Sequence, residues 1–131
     1  MNHPVLTPAE WHVMEYLWQH NPCTAREAVG YLQKKVGWSR STILTLLSRM
    51  TEKNQIKCHE EGAVRTYSPL IPQEEAVLDQ TRSFLDRVYQ GSLGLMVSAF
   101  TKKNPLSDAE IAELQAILDQ AKASRDPDGL R

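Results

Sequence analysis

Apolar residues recur every three to four positions from Leu6 to about Asn54, every second position from Ile56 to Tyr67, and every three to four again after Pro72. A period near 3.6 predicts helices that bury one stripe, and a period of two predicts half-buried strands. Leu6-Thr7-Pro8-Ala9-Glu10-Trp11 opens the first helix. Thr7 is its cap, Pro8 suits the first turn, Glu10 closes a capping box and Leu6 can staple onto Trp11. Trp11, Met14, Leu17 and Trp18 predict a buried stripe that stops at His20-Asn21-Pro22. Thr24-Ala25-Arg26-Glu27 repeats the capping box, with Ala28, Val29, Leu32 and Val36 as the second stripe and Gly37 near its end.

A third helix follows at once, over residues 38–54. Ser39 predicts its N-cap, Ile43, Leu46, Leu47 and Met50 its buried face, and Asn54 a left-handed end. The far side carries Ser41, Thr45 and Ser48, with Leu44 nearer its edge and no acid before Glu52. Solvated helix faces usually carry long Glu and Lys side chains. Small hydroxyls beside Arg40 suit base edges and phosphates in a major groove instead. Beyond Asn54, Ile56 and Cys58 alternate with Lys57 and His59, Glu60-Glu61-Gly62 predicts a turn, and Val64 to Tyr67 predicts the return strand. Three helices and then a hairpin is the order of a winged helix-turn-helix, in which the third helix reads DNA and the hairpin is the wing.

From Pro72 the helical period returns. Ala76, Leu78, Phe84, Leu85, Val88 and Tyr89 predict a long helix interrupted at Gly91, and residues 93–100 a shorter, greasier one. Ser107 and Glu110 make a third capping box, stapled by Leu106 and Ile111. Three helices of this size cannot bury their apolar faces among themselves. Phe84, Leu85, Val88, Leu93, Met96, Phe100, Ile111, Leu114, Ile117 and Leu118 are therefore expected to pack against a second copy of the chain. A two-fold dimer would match a palindromic DNA site. The expected fold is mainly α: a winged helix over residues 1–71, a helical dimerisation region over 72–123 and a disordered tail over 124–131.

Charge sharpens that division. The net charge of −1 conceals seven Lys or Arg against three acids in residues 34–65, and seven against ten in residues 72–131. A basic excess around the third helix points to nucleic acid. No apolar run approaches the roughly 20 residues that span a bilayer, and Met-Asn-His-Pro lacks the regions of a secretory signal, so no membrane insertion is expected. Cys23 and Cys58 lie far apart without a Cys-x-x-Cys pattern, which argues for a reducing, cytoplasmic environment. Adjacent Cys58 and His59 would point to opposite faces of a strand, so neither a metal site nor another cofactor is expected. The acids after Pro72 are scattered, no catalytic motif is present, and the chain is not expected to be an enzyme.

Leu6-Thr-Pro-Ala-Glu-Trp-x-Val-Met-x-x-Leu-Trp18, Ser41-Thr-Ile-x-Thr-Leu-Leu-x-Arg49 and Tyr67-Ser-Pro together resemble the penicillinase-repressor family, the BlaI, MecI and CopY type regulators of bacteria. The resemblance runs to about Lys122. It implies a homodimeric repressor that sits on an inverted-repeat operator and blocks transcription, in some members of antibiotic-resistance genes. Carried over by position, the family's base-reading segment falls on Arg40, Ser41, Thr42 and Thr45, with Ser39 at its start and Arg49 at the flank. Lys57 and Arg65 are the expected wing contacts, Arg65 standing in for an arginine that members often carry where this chain has Ala63. Many members have Lys in place of Ser41 and a polar residue in place of Leu44, so the operator sequence does not carry over. The cysteine cluster of copper-sensing members is absent, since no cysteine follows Cys58. Drug-resistance members are released when a membrane sensor protease cuts an Asn–Phe bond. The corresponding bond here is Ala99–Phe100, which keeps the phenylalanine and not the asparagine. A protein-interaction module and a ligand-responsive regulator are the alternative readings; the basic excess disfavours the first, and no residue pattern marks a pocket for the second.

Overall fold

A computed structural model describes residues 5–125. Helix α1 (Pro8–Gln19) leads through a short turn to strand β1 (Cys23–Thr24), helix α2 (Ala25–Lys35) and helix α3 (Arg40–Glu52). Strands β2 (Ile56–Glu61) and β3 (Val64–Pro69) form the hairpin, and helices α4 (Gln73–Tyr89), α5 (Leu93–Lys103) and α6 (Asp108–Ala123) follow. This is a mainly helical winged helix-turn-helix followed by further helices. All three capping boxes form as the sequence predicts, at Thr7/Glu10, Thr24/Glu27 and Ser107/Glu110. Gly37 ends α2 at φ 85°, and Asn54 follows α3 at φ 61°, both in the left-handed region that stops a helix.

The hairpin differs in one turn. Strand β2 runs through Glu61, and Glu61 pairs with Val64, so the connection is Gly62-Ala63 rather than Glu60-Glu61-Gly62. Gly62 takes φ 64° at the first of the two loop positions, as a type II′ hairpin turn requires. Strand β1, only two residues long, was not predicted. It pairs antiparallel with β3, Cys23 opposite Tyr67, giving a three-stranded sheet in the order β1-β3-β2. Cys58 faces Tyr67 from the other side, so about two strand spacings, roughly 9.5 Å, separate the two cysteines, beyond disulfide reach. Both thiols are free.

The core joins Val13, Met14 and Leu17 of α1 to Ala28, Val29 and Leu32 of α2, Ile43, Leu47 and Met50 of α3, and Ile56 and Tyr67 of the sheet. Two expectations shift here. Trp11 and Trp18 are half-buried at the rim of α1 and Val13 takes the buried place. An indole N–H must find a partner, and Trp18 Nε1 donates to the Ile71 carbonyl at 2.9 Å. Leu46 and Val36 are likewise half-buried. The chain divides into two compact units, Met1–Phe84 and Leu85–Arg131. The division falls within α4, because Ile71 and Ala76 are buried in the first unit's core. In α5 and α6 no residue is buried. Ser124 caps α6, and the rest of the expected disordered tail, from residue 126, lies outside the described residues.

Candidate nucleic-acid interface

A four-residue link, 36–39, joins α2 to α3, so the third helix begins as soon as the second ends. Ser39 Oγ accepts the Thr42 amide N–H at 3.2 Å, which caps α3 and fixes its first turn. The same hydroxyl donates to Thr42 Oγ1 at 3.0 Å and lies 3.3 Å from Ser41 Oγ. Ser39 is thus committed to the cap of α3.

Ser41, Thr42, Thr45 and Arg49 line one shallow depression of about 370 Å³ together with Ala9, Trp38 and Leu46. Four of the predicted DNA contacts are therefore brought together on one side of α3. Arg40, also exposed, begins the same helix. Trp38, Leu46 and Ala9 were not among the predicted site residues. Trp38 stands just before the N-cap, where an apolar residue commonly packs onto the helix it introduces, and that spacing could have flagged it. Its ring meets His12 edge-on, with centroids 5.8 Å apart, so α1 supports the entry to α3.

The far end of α3 is held differently. Glu10 is 4% exposed, and its carboxylate accepts from the Thr7 amide at 3.0 Å, from Gln55 Nε2 at 3.2 Å and from the Lys53 ammonium. Burial pushes the Glu10 carboxyl up, but Lys53, Thr7 and Gln55 together outweigh it and hold the group below its ordinary value. A capping residue of α1 thereby clamps the exit of α3. Lys53 serves this clamp, and counts less toward the basic face than the raw charge tally suggests.

The wing separates its two predicted contacts. In the antiparallel register Lys57 faces Ser68 and Arg65 faces Glu60, so Lys57 and Arg65 lie on opposite faces of the hairpin. Arg65 Nε is 2.9 Å from Glu60 Oε2, an exposed ion pair. The Tyr67 hydroxyl and this carboxylate raise the guanidinium pKa further. On the adjoining strand, burial and the Glu27 charge push the Cys23 thiol up to about 11, so it is neutral and inert at physiological pH. Among the described residues no three His, Cys, Asp or Glu side chains converge as metal ligands, and no helix is long and apolar enough to cross a membrane.

A family model described as penicillinase repressor matches residues 6–120. The penicillinase repressor of Bacillus licheniformis is 37% identical over 119 residues, covering 91% of this chain and 93% of that protein. The methicillin resistance regulatory protein MecI of Staphylococcus aureus is 30% identical over 115 residues, covering 88% and 94%. The solution structure of the DNA-binding domain of the repressor BlaI superposes with a TM-score of 0.51 at 32% identity, over 56% of this chain and 93% of that one. The monomeric form of Bacillus licheniformis BlaI in complex with the blaP half-operator gives 0.51 at 34% identity, over 56% and 90%.

Proposed function

The chain belongs to the penicillinase-repressor family, and on that premise we propose that it is a cytoplasmic transcriptional repressor that binds an inverted-repeat operator as a homodimer. The observation that carries this reading is the single depression holding Ser41, Thr42, Thr45 and Arg49, on the helix that a winged helix lays in the major groove. A relative solved in complex with half-operator DNA supports DNA binding by this fold. Arg40, Ser41, Thr42 and Thr45 are assigned to base edges, and Arg49 and Lys57 to the phosphate backbone. Arg65 is assigned there too, once it leaves Glu60. The exposed apolar residues from Phe84 to Leu118 are assigned to the partner chain. Release by a membrane sensor protease at Ala99–Phe100 is part of the proposal. That bond lies inside α5, where the Phe100 carbonyl accepts both the main-chain and side-chain N–H groups of Asn104, at 3.1 and 3.0 Å. Cleavage there requires α5 to open locally, since a protease needs an extended strand.

A salt titration of duplex binding tests the DNA reading. Affinity should fall linearly with the logarithm of salt, and Arg49→Ala should flatten the slope by about 1 on every sequence. Thr45→Ala should instead change the preference at particular base pairs, by about 1–3 kcal/mol each. Binding indifferent to salt would reject the reading.

A further inference from the structure

Gln55 stands where three elements of the first unit meet. Its main-chain N–H donates to the Met50 carbonyl at 3.0 Å, and the Asn54 N–H donates to the Thr51 carbonyl at 3.1 Å. With Asn54 left-handed, these two bonds are the Schellman ending of α3. The Gln55 carbonyl accepts from the Leu70 N–H at 3.0 Å, just past β3, and the next residue, Ile56, begins β2. The side chain turns to α1, where Nε2 donates to Glu10 Oε1 at 3.2 Å. One residue thus joins the end of α3, both feet of the hairpin and the cap of α1.

An amide is an unusual side chain for this place. The position after the left-handed residue of a Schellman ending ordinarily carries an apolar group that packs back onto the last turn. Gln55 is 0% exposed, as is Met50 at the matching place in that turn. A carboxylate only accepts, so the amide end that faces Glu10 is the NH2 group and the other end is the carbonyl oxygen. That oxygen, Gln55 Oε1, is buried with no hydrogen-bond partner among the described residues. An orphaned acceptor costs stability that an apolar side chain here would not lose. Packing therefore does not account for the amide, and its bond to Glu10 does. Glu10 is a fixed point, since its carboxylate also holds the Thr7 amide and the Lys53 ammonium. At about 3.3 Å per residue along β2, Arg65, opposite Glu60, lies roughly 16 Å from Gln55. A swing of the hairpin by about 10° would carry Arg65 about 3 Å, the length of a hydrogen bond. We infer that Gln55 is a positioning residue that fixes the angle between the wing and α3, so that Arg65 reaches the backbone of the duplex that α3 enters. This rests on the DNA reading above.

The test uses the full chain and a duplex carrying one half-site, selected from a random pool. Gln55→Met keeps the bulk and removes the amide, and Gln55→Ala removes both. Gln55→Met should unfold in urea at the parent's midpoint or above it. In the parent, Arg65→Ala should weaken binding by about three- to tenfold and flatten the salt slope by about 1. In the Gln55→Met background the slope should already be flattened, and Arg65→Ala should cost less than about twofold. The change of preference caused by Thr45→Ala should stay as in the parent. Gln55→Ala should show the same coupling to Arg65 even where its urea midpoint falls. A merely structural amide would shift the midpoint and leave Arg65→Ala its full effect. That full effect in both Gln55 variants overturns the inference. A parent that ignores Arg65→Ala overturns the wing assignment, and binding indifferent to salt overturns the DNA reading beneath both.

Discussion

Leu17, Leu47 and Met50 in the first unit are fully buried, whereas Leu93, Phe100 and Leu118 in the second are 57%, 57% and 62% exposed. Both sets sit at helical spacing on capped helices, so periodicity does not separate them. The partner does. In the first unit three helices and a sheet converge, and each stripe finds two or three others. In the second, α5 and α6 carry stripes of similar width, and none of their residues is buried within the single chain. An apolar stripe states that a helix must be covered, and says nothing about which chain covers it. The same grammar writes a core in one half and, on our reading, an interface in the other.

Cutting the chain is the strongest way to break this contrast. A chain ending at Phe84 should stay folded and monomeric, with half-site affinity close to the parent's. Its affinity for the whole operator should fall by about 10²–10⁴, since linked half-sites act through effective concentration. Sedimentation and gel-shift titration check both. A cut after Leu70 should behave worse, because it removes Ile71, Ala76 and the carbonyl that accepts from Trp18. If the cut at Phe84 leaves operator affinity unchanged, the second unit does not pair the half-sites.

Single substitutions make the next contrast. Leu47→Ala should lower unfolding free energy by about 2–5 kcal/mol, a core truncation with a cavity. Leu118→Ala, measured in urea at concentrations dilute enough to leave single chains, should change it by less than about 0.5 kcal/mol. The same change should weaken self-association, seen as a dimer that dissociates at higher concentration. Equal destabilisation at both sites would erase the difference between the two units.

Local chemistry in this chain was legible and distant chemistry was not. The three capping boxes and the left-handed Asn54 each depend on residues within four positions, and all appear as expected. The shared side of Ser41, Thr45 and Arg49 follows from helical spacing alone. Strand β1 escaped because two residues carry no period, and only their pairing with β3 makes them a strand. Glu10 closes the capping box that the sequence predicts, and it is also a buried anchor for Lys53 and Gln55, more than forty positions away. The Glu60–Arg65 pair depends on hairpin register, which a turn expected at Glu60-Glu61-Gly62 rather than Gly62-Ala63 obscures.

Glu10 makes an acid-sensitive prediction about how the first unit holds α3. Its folded pKa lies below the ordinary 4.5, so the clamp stabilises the fold fully above about pH 4.5. That contribution is lost as pH falls through the lowered native value, because the unfolded chain binds the proton more readily. Glu10→Gln leaves Lys53 without its counter-charge and should cost about 1–3 kcal/mol at pH 7. The gap between parent and variant should close toward pH 3 in urea melts. A gap that persists in acid would mean the carboxylate charge is not what holds the exit of α3.

The smallest expected effect lies in the wing, where the first unit meets solvent as openly as the second. Glu60 and Arg65 are 61% and 59% exposed, and an ion pair so hydrated adds little to stability. Its consequence should be felt on DNA instead. While Glu60 faces Arg65, the guanidinium is neutralised, and the carboxylate also repels any phosphate the wing approaches. Glu60→Gln should leave the melting curve unmoved and steepen the salt dependence of DNA binding by about 1 in logarithmic slope. The gain should be the same on operator and on unrelated duplex, because phosphates carry no sequence. Repeating Glu60→Gln in an Arg65→Ala background separates the two causes: relief of repulsion alone survives the loss of Arg65, and release of the guanidinium does not. If Arg65→Ala by itself flattens the slope and Glu60→Gln changes nothing, Arg65 already leaves Glu60 for the backbone when DNA binds. The pair would then be only its resting state.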